Sequence, residues 1–138
     1  MRQPLNHGTE GEVLEYGGPR EVVIDERAGS VRVSLWRPGS RRDVFVDCEA
    51  ARRLADAADA DADDGEIVTE TADDGSDVVV RERNGHRELT LPRQLRRGRR
   101  VVRLTPFETE VAEGLRDAAA VVDDTTGKPV ATDGGEPA

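Results

Sequence analysis

Apolar and polar positions alternate along two stretches of the chain, and the two stretches match. The first opens Gly11-Glu12-Val13-Leu14 and the second Gly65-Glu66-Ile67-Val68, 54 residues later. An apolar triplet follows in each, Val22-Val23-Ile24 and Val78-Val79-Val80. Then come Asp25-Glu26-Arg27-Ala28-Gly29 and Arg81-Glu82-Arg83-Asn84-Gly85, at an offset of 56. Period-two alternation predicts strands next: Val31, Val33 and Leu35 share one face of the first, Leu89 and Leu91 one face of the second. Both runs reach a proline-containing connection that carries arginines, Trp36 to Arg42 and Pro92 to Arg100. A last strand closes each round, Asp43-Val44-Phe45-Val46 and Val101-Val102-Arg103-Leu104. Asn84-Gly85 is a strong two-residue hairpin signal, because both positions accept positive φ, and Ala28-Gly29 is a weaker one.

Each round is predicted to end in a helix. Asp47 and Thr105 are suitable N-caps, since a short side-chain oxygen accepts from a free first-turn N–H. Pro106 would take the first helical position and Glu108 would complete a capping box with Thr105. Phe107, Val111, Leu115 and Ala118 then recur at helical spacing, whereas Ala50, Leu54, Ala57 and Ala58 make a thinner stripe. The pattern therefore predicts an α+β chain of two tandem repeats, 11–58 and 65–122. Each is an antiparallel sheet of three or four strands followed by one helix, and an acidic linker at 59–64 joins them. Residues 1–10 lack periodicity and read as a loose tail. Residues 123–138, rich in Asp, Thr, Gly and Pro, read as disordered.

One helix per sheet covers one face and leaves the other open, or available to a partner. With Val31, Val33, Leu35, Val44, Val46, Val102 and Leu104 turned inward, the open face carries Arg32, Ser34, Trp36, Phe45, Arg99, Val101 and Arg103. Bases stack on aromatic rings at roughly 1–3 kcal/mol each, and guanidinium groups track phosphate. The chain has four aromatic residues, Tyr16, Trp36, Phe45 and Phe107, and Phe107 is read as core.

Charge sharpens this picture. Acidic residues number 29 against 20 basic ones, for a net charge of -9, and Lys128 is the one lysine among the basic residues. Residues 81–103 run the other way, with nine arginines against Glu82 and Glu88. A basic segment in an acidic chain suggests a polyanion partner, with arginine–carboxylate pairing as the plain alternative. The Arg, Asp, Ala, Val and Gly content indicates a GC-rich genome. The acidity adds a salt-adapted archaeal source, with an actinobacterial one as the rival.

Other chemistry is poorly provided for. Cys48 is the single cysteine, which leaves no internal disulfide framework and no Cys-based zinc site. No run approaches the ~20 apolar residues of a membrane span, and Met1 to Asn6 lacks a signal-peptide core, so a soluble, cytoplasmic protein is expected. His7 and His86 read as surface histidines, and Asp59, Asp61, Asp63 and Asp64 as a solvated linker rather than a calcium loop. There is no glycine-rich phosphate loop and no serine elbow. The expectation is a non-enzymatic protein with no cofactor and no metal.

Two tandem units of strands plus a helix, with basic strand connections, span about Glu12 to Ala120. They resemble the single-stranded nucleic-acid-binding superfamily that includes the Whirly proteins, the Pur-alpha group and a transcriptional positive cofactor. The resemblance implies two units packed through their helices and nucleic acid running over the sheet surfaces. It carries binding roles onto Arg37, Arg41, Arg42, Arg93, Arg96, Arg97, Arg99 and Arg100. The open-face argument adds Trp36 and Arg103. The expected partner is single-stranded DNA or RNA, in transcription or repair. The rival reading is a protein–protein or homodimerisation module, using the open face or an edge strand.

Overall fold

The computed structural model describes residues 14–92 and 98–126. The elements run β1 (Leu14–Gly17), a 3-10 turn (Pro19–Glu21), β2 (Val22–Arg27), β3 (Ser30–Arg37), β4 (Ser40–Val46) and α1 (Cys48–Ala58). Then follow β5 (Gly65–Thr71), β6 (Asp77–Arg83), β7 (His86–Pro92), β8 (Arg99–Arg103) and α2 (Glu108–Thr126). Strands β2, β3 and β4 form an antiparallel meander, and β5 to β8 form a second one. The chain is therefore α+β, with two antiparallel sheets each followed by a helix.

Turn chemistry sets the hairpin registers. Ala28 and Gly29 have φ of 55° and 81°, and Asn84 and Gly85 have 52° and 82°, the doubly left-handed turn whose twist matches paired strands. Pairing then brings the alternating apolar residues to one side. Val31, Val33, Leu35, Val44 and Val46 of the first sheet join Val78, Val80, Leu89, Leu91, Val102 and Leu104 of the second in a single core. Ala50, Ala51, Leu54 and Ala55 of α1 and Ala112, Leu115, Ala119 and Val122 of α2 complete it.

The repeats are interlocked rather than set side by side. The two helices pack on each other, α2 lies chiefly on β2 and β3, and α1 lies chiefly on β5 and β6. Each helix thus covers the other repeat's sheet. Small residues on α1 permit the close approach. Ion pairs on the helix surfaces reinforce it: Arg116 reaches Asp56 and Asp59, and Arg52 reaches Asp123. The carboxylates of Asp59 and then Asp56 raise the Arg116 pKa.

Four expectations are corrected. The opening strand does not join its own repeat: β1 pairs in parallel with β8, Leu14 opposite Arg99, and forms an edge of the second sheet. Its connection is anchored there, because Glu21 accepts from Arg100 at 3.1 Å and lies 3.5 Å from Arg37. Thr105 does not cap α2, since its hydroxyl oxygen accepts the Arg87 N–H at 2.8 Å and donates to Glu108 at 3.0 Å, and the helix starts only at Glu108. Phe107, left before that start, is 47% exposed instead of core. Asp47 does cap α1, accepting from Ala50 N–H at 2.8 Å. Helix α2 also runs to Thr126, into the stretch expected to be disordered, where Asp123 meets Arg52. The readings for residues 1–10 and 127–138 lie outside the described residues.

Matching cross-strand ion pairs mark the duplication. Asp25 faces Arg32 across β2 and β3, and Arg81 faces Glu88 across β6 and β7, at equivalent positions with the charges exchanged. Asp25→Arg alone is expected to destabilise by about 1 kcal/mol through like charges directly opposed. Asp25→Arg with Arg32→Glu should recover most of that loss in urea unfolding, because the second repeat already uses that polarity.

Candidate nucleic-acid interface

The helix-free side of each sheet holds most of the described candidate residues. On the first sheet the pairing puts Trp36 opposite Arg41, Ser34 opposite Asp43 and Arg32 opposite Phe45. Trp36 is 49% exposed with Arg41 opposite it, whereas Arg37 lies on Leu35's side of β3, 3.5 Å from Glu21. Arg41 Nε donates to Asp43 at 2.9 Å, and Arg32 makes a two-point contact with Asp25 at 2.8 and 2.5 Å. On the second sheet the same side is a trough of about 640 Å³ lined by Arg81, Arg83 and Arg99 with Thr69, Val79 and Thr90, and also by the carboxylates of Asp64, Glu66, Asp77 and Glu82. Arg99 donates to the Thr90 hydroxyl at 2.9 and 3.1 Å. Arg103, on the same side of β8, is exposed and has no ionic partner among the described residues.

Two candidates are corrected outright. Arg42 and Arg100 are only 6% and 3% exposed, on the helix-facing side. Arg42, near the start of β4, donates Nε to the Pro92 carbonyl of the second repeat at 3.0 Å. It also reaches the Asp43 carbonyl, Asp74 and the Ser76 hydroxyl. Arg100, near the start of β8, donates to the Leu35 carbonyl of the first repeat at 2.9 Å and to Glu21. These residues occupy equivalent positions and stitch the repeats together reciprocally, so neither faces a polyanion. Val101 is also fully buried although it lies on the helix-free side, which removes it from an exposed apolar patch with Trp36 and Phe45. Arg93, Arg96 and Arg97 lie outside the described residues.

The stitching has a geometric result. It sets the end of the β3–β4 hairpin, with Trp36, Arg37 and Arg41, beside the ends of β7 and β8 that flank residues 93–97. The first arginine-bearing connection therefore lies next to Pro92 and Arg100, the described residues near either end of 93–97.

Carboxylates temper the basic segment. Arg81 and Arg83 both reach Glu88, whose side chain is almost wholly buried, and Arg87 reaches Glu82. Asp25 titrates below its ordinary range chiefly because Arg32 donates to it. Burial pushes Asp43 up, but hydrogen bonds from Arg41 and Ser34 outweigh it and leave it lowered. Asp74 is lowered first by the Ser76 backbone N–H. A carboxylate depressed in the folded state adds stability above its unfolded pKa and loses it as pH falls through the folded value. Unfolding midpoints are therefore expected to stay level from pH 8 to 5 and to fall as acidity passes the ordinary value of 3.8. Asp74→Asn should flatten that fall, read by thermal denaturation.

Sequence reasoning missed Arg87, the buried arginine that binds the end of α1, and the trough arginines Arg81 and Arg83. Cys48 is half-buried and donates Sγ–H to the Ala119 carbonyl. Burial, then Asp123, pushes its thiol pKa up, the reverse of an activated nucleophile. Among the described residues no group of three or more His, Cys, Asp or Glu side chains gathers as a metal site, and no helix is long and apolar enough to cross a membrane. Comparison with protein-family models, with curated proteins and with solved structures found no match.

Proposed function

We propose that the protein is a non-enzymatic cytoplasmic module that binds single-stranded DNA or RNA on the helix-free side of its sheets, as in the superfamily it resembles. The observation that supports this reading is a half-exposed tryptophan, with Arg41 opposite it, on the helix-free side of a hairpin whose end abuts Pro92 and Arg100. Trp36 supplies a stacking platform for one base. Arg41 and Arg103 supply phosphate contacts, and Arg81, Arg83 and Arg99 line the trough on the helix-free side of the second sheet.

The arginine–carboxylate pairs shape the expected energetics. A guanidinium already held by a carboxylate releases few counterions when a phosphate replaces it. Stacking then carries a larger share than in a plain basic loop. In anisotropy titrations with labelled oligo(dT), Trp36→Ala is expected to weaken binding about tenfold to a hundredfold, the range of one base–aromatic stack. Arg41→Ala with Arg103→Ala should weaken it less. Equal affinity in the parent and Trp36→Ala, or no binding at any salt, would reject the reading. The homodimer reading gains a separate observation, at the outer edge of β2, the strand beside β3.

A further inference from the structure

The two repeats differ at one place. In the second, β6 is flanked on its outer edge by β5, with Val68 opposite Val80 and Glu70 opposite Val78. In the first, the matching strand β1 has left for β8, and no described strand pairs with the outer edge of β2. The two-residue turn at Ala28–Gly29 makes Arg27 and Ser30 a hydrogen-bonded pair, so Val23, Asp25 and Arg27 bond to β3. Val22, Ile24 and Glu26 turn their N–H and C=O groups to the open edge. Beside it lies a largely apolar slot of about 410 Å³, formed by Val22 and Ile24 with Phe107, just before α2, and Val111 and Gly114 of α2, and lined also by Arg20 and Glu110. Val23 is 46% exposed on the other side of the strand. An unpaired strand edge beside an uncovered Phe and Val is a ready site for strand addition.

We propose that a second copy of this chain fills the slot, β2 against β2, to make a two-fold dimer with a continuous six-stranded sheet. The strand is self-complementary in one register. With Val23 opposite Val23 of the partner subunit, Val22 meets the partner's Ile24 twice across the seam. Arg20 comes level with the partner's Glu26, also twice. The pairing is antiparallel, as β5 on β6 is, and it uses the edge groups of Val22, Ile24 and Glu26. It sets apolar against apolar where the second repeat sets Val68 against Val80. It also brings Phe107 of each copy toward the seam and covers the slot. Because each copy carries a net charge of -9, the dimer tightens as salt screens the repulsion, the opposite of phosphate binding.

Sedimentation equilibrium of the full chain across a concentration series, in low and molar KCl, tests this. The parent is expected to dimerise, more tightly in high salt. Val23→Lys sets two lysines across the two-fold axis, and Val22→Pro removes an edge N–H without breaking a bond to β3. Both should weaken dimerisation at least tenfold while the far-ultraviolet spectrum stays unchanged. In a Cys48→Ala background, Val23→Cys should cross-link to itself on oxidation, since facing residues at such a pair sit about 4.5 Å apart, within disulfide reach. Val79→Cys, the equivalent position in the flanked strand β6, should not. A parent that stays monomeric, a dimer that survives both edge variants, or equal cross-linking at both cysteines overturns the proposal.

Discussion

Arg87→Ala is expected to lower the unfolding free energy by about 3–5 kcal/mol, the range for removing one member of a buried charged network. Helix α1 has no basic residue in its own last turn, and its C-terminal carbonyls would face the interior unpaired. Arg87, from β7, meets that need. Its guanidinium donates to the carbonyls of Ala57, Ala58 and Ala60, and its Nε donates to Glu82 at 2.8 Å. Truncation leaves Glu82 and several carbonyls without their donor and opens a cavity. The planar fork matters as much as the charge, so Arg87→Lys should recover little of the loss. Urea unfolding reads this as a lower midpoint at unchanged slope. A loss under 1 kcal/mol would mean that water or a neighbour replaces the guanidinium.

Arg42→Ala and Arg100→Ala are each expected to destabilise by about 2–4 kcal/mol, because each leaves buried carbonyls of the opposite repeat unsatisfied. Arg41→Ala, one residue from Arg42 but exposed, should stay within about 0.5 kcal/mol. The contrast separates arginines that hold the repeats together from those that face solvent. It also guides the binding experiments: weakened nucleic-acid binding in Arg42→Ala would report a loosened fold, whereas the same loss in Arg41→Ala would report a lost contact.

The sequence pattern made much of this legible. The paired turns at Ala28–Gly29 and Asn84–Gly85, the inward valines and leucines, and the Asp47 cap all follow from local rules, and each is found as expected. The inward arginines were legible too. With Val44, Val46, Val102 and Leu104 facing the helices, period two puts Arg42 and Arg100 on the same side. Carrying binding roles over from a resemblance set that parity aside. The destination of β1 was not legible, because four residues carry too little pattern to choose between two sheets. The exchange of helices between sheets was equally hidden, since an apolar stripe specifies burial but not the partner. The exposure of Phe107 followed from where Thr105 spends its hydrogen bonds, which depends on Arg87, 18 residues earlier in the chain. As for the site, the sequence located Trp36 and the two basic connections. It did not reveal that the buried Arg42 and Arg100 join the repeats.

The most direct test uses Trp36 itself, the chain's one tryptophan. Intrinsic fluorescence would be followed while unlabelled oligo(dT) is added, from low salt to molar KCl. Stacking of a base on the ring predicts saturable quenching. With two or three phosphates engaged, log affinity should fall against log salt with a slope near about -2, and binding should stay measurable at high salt. An unchanged Trp36 signal while a labelled strand still binds, with a slope of about -6 or steeper, would place the contact on a plain basic loop and contradict the account.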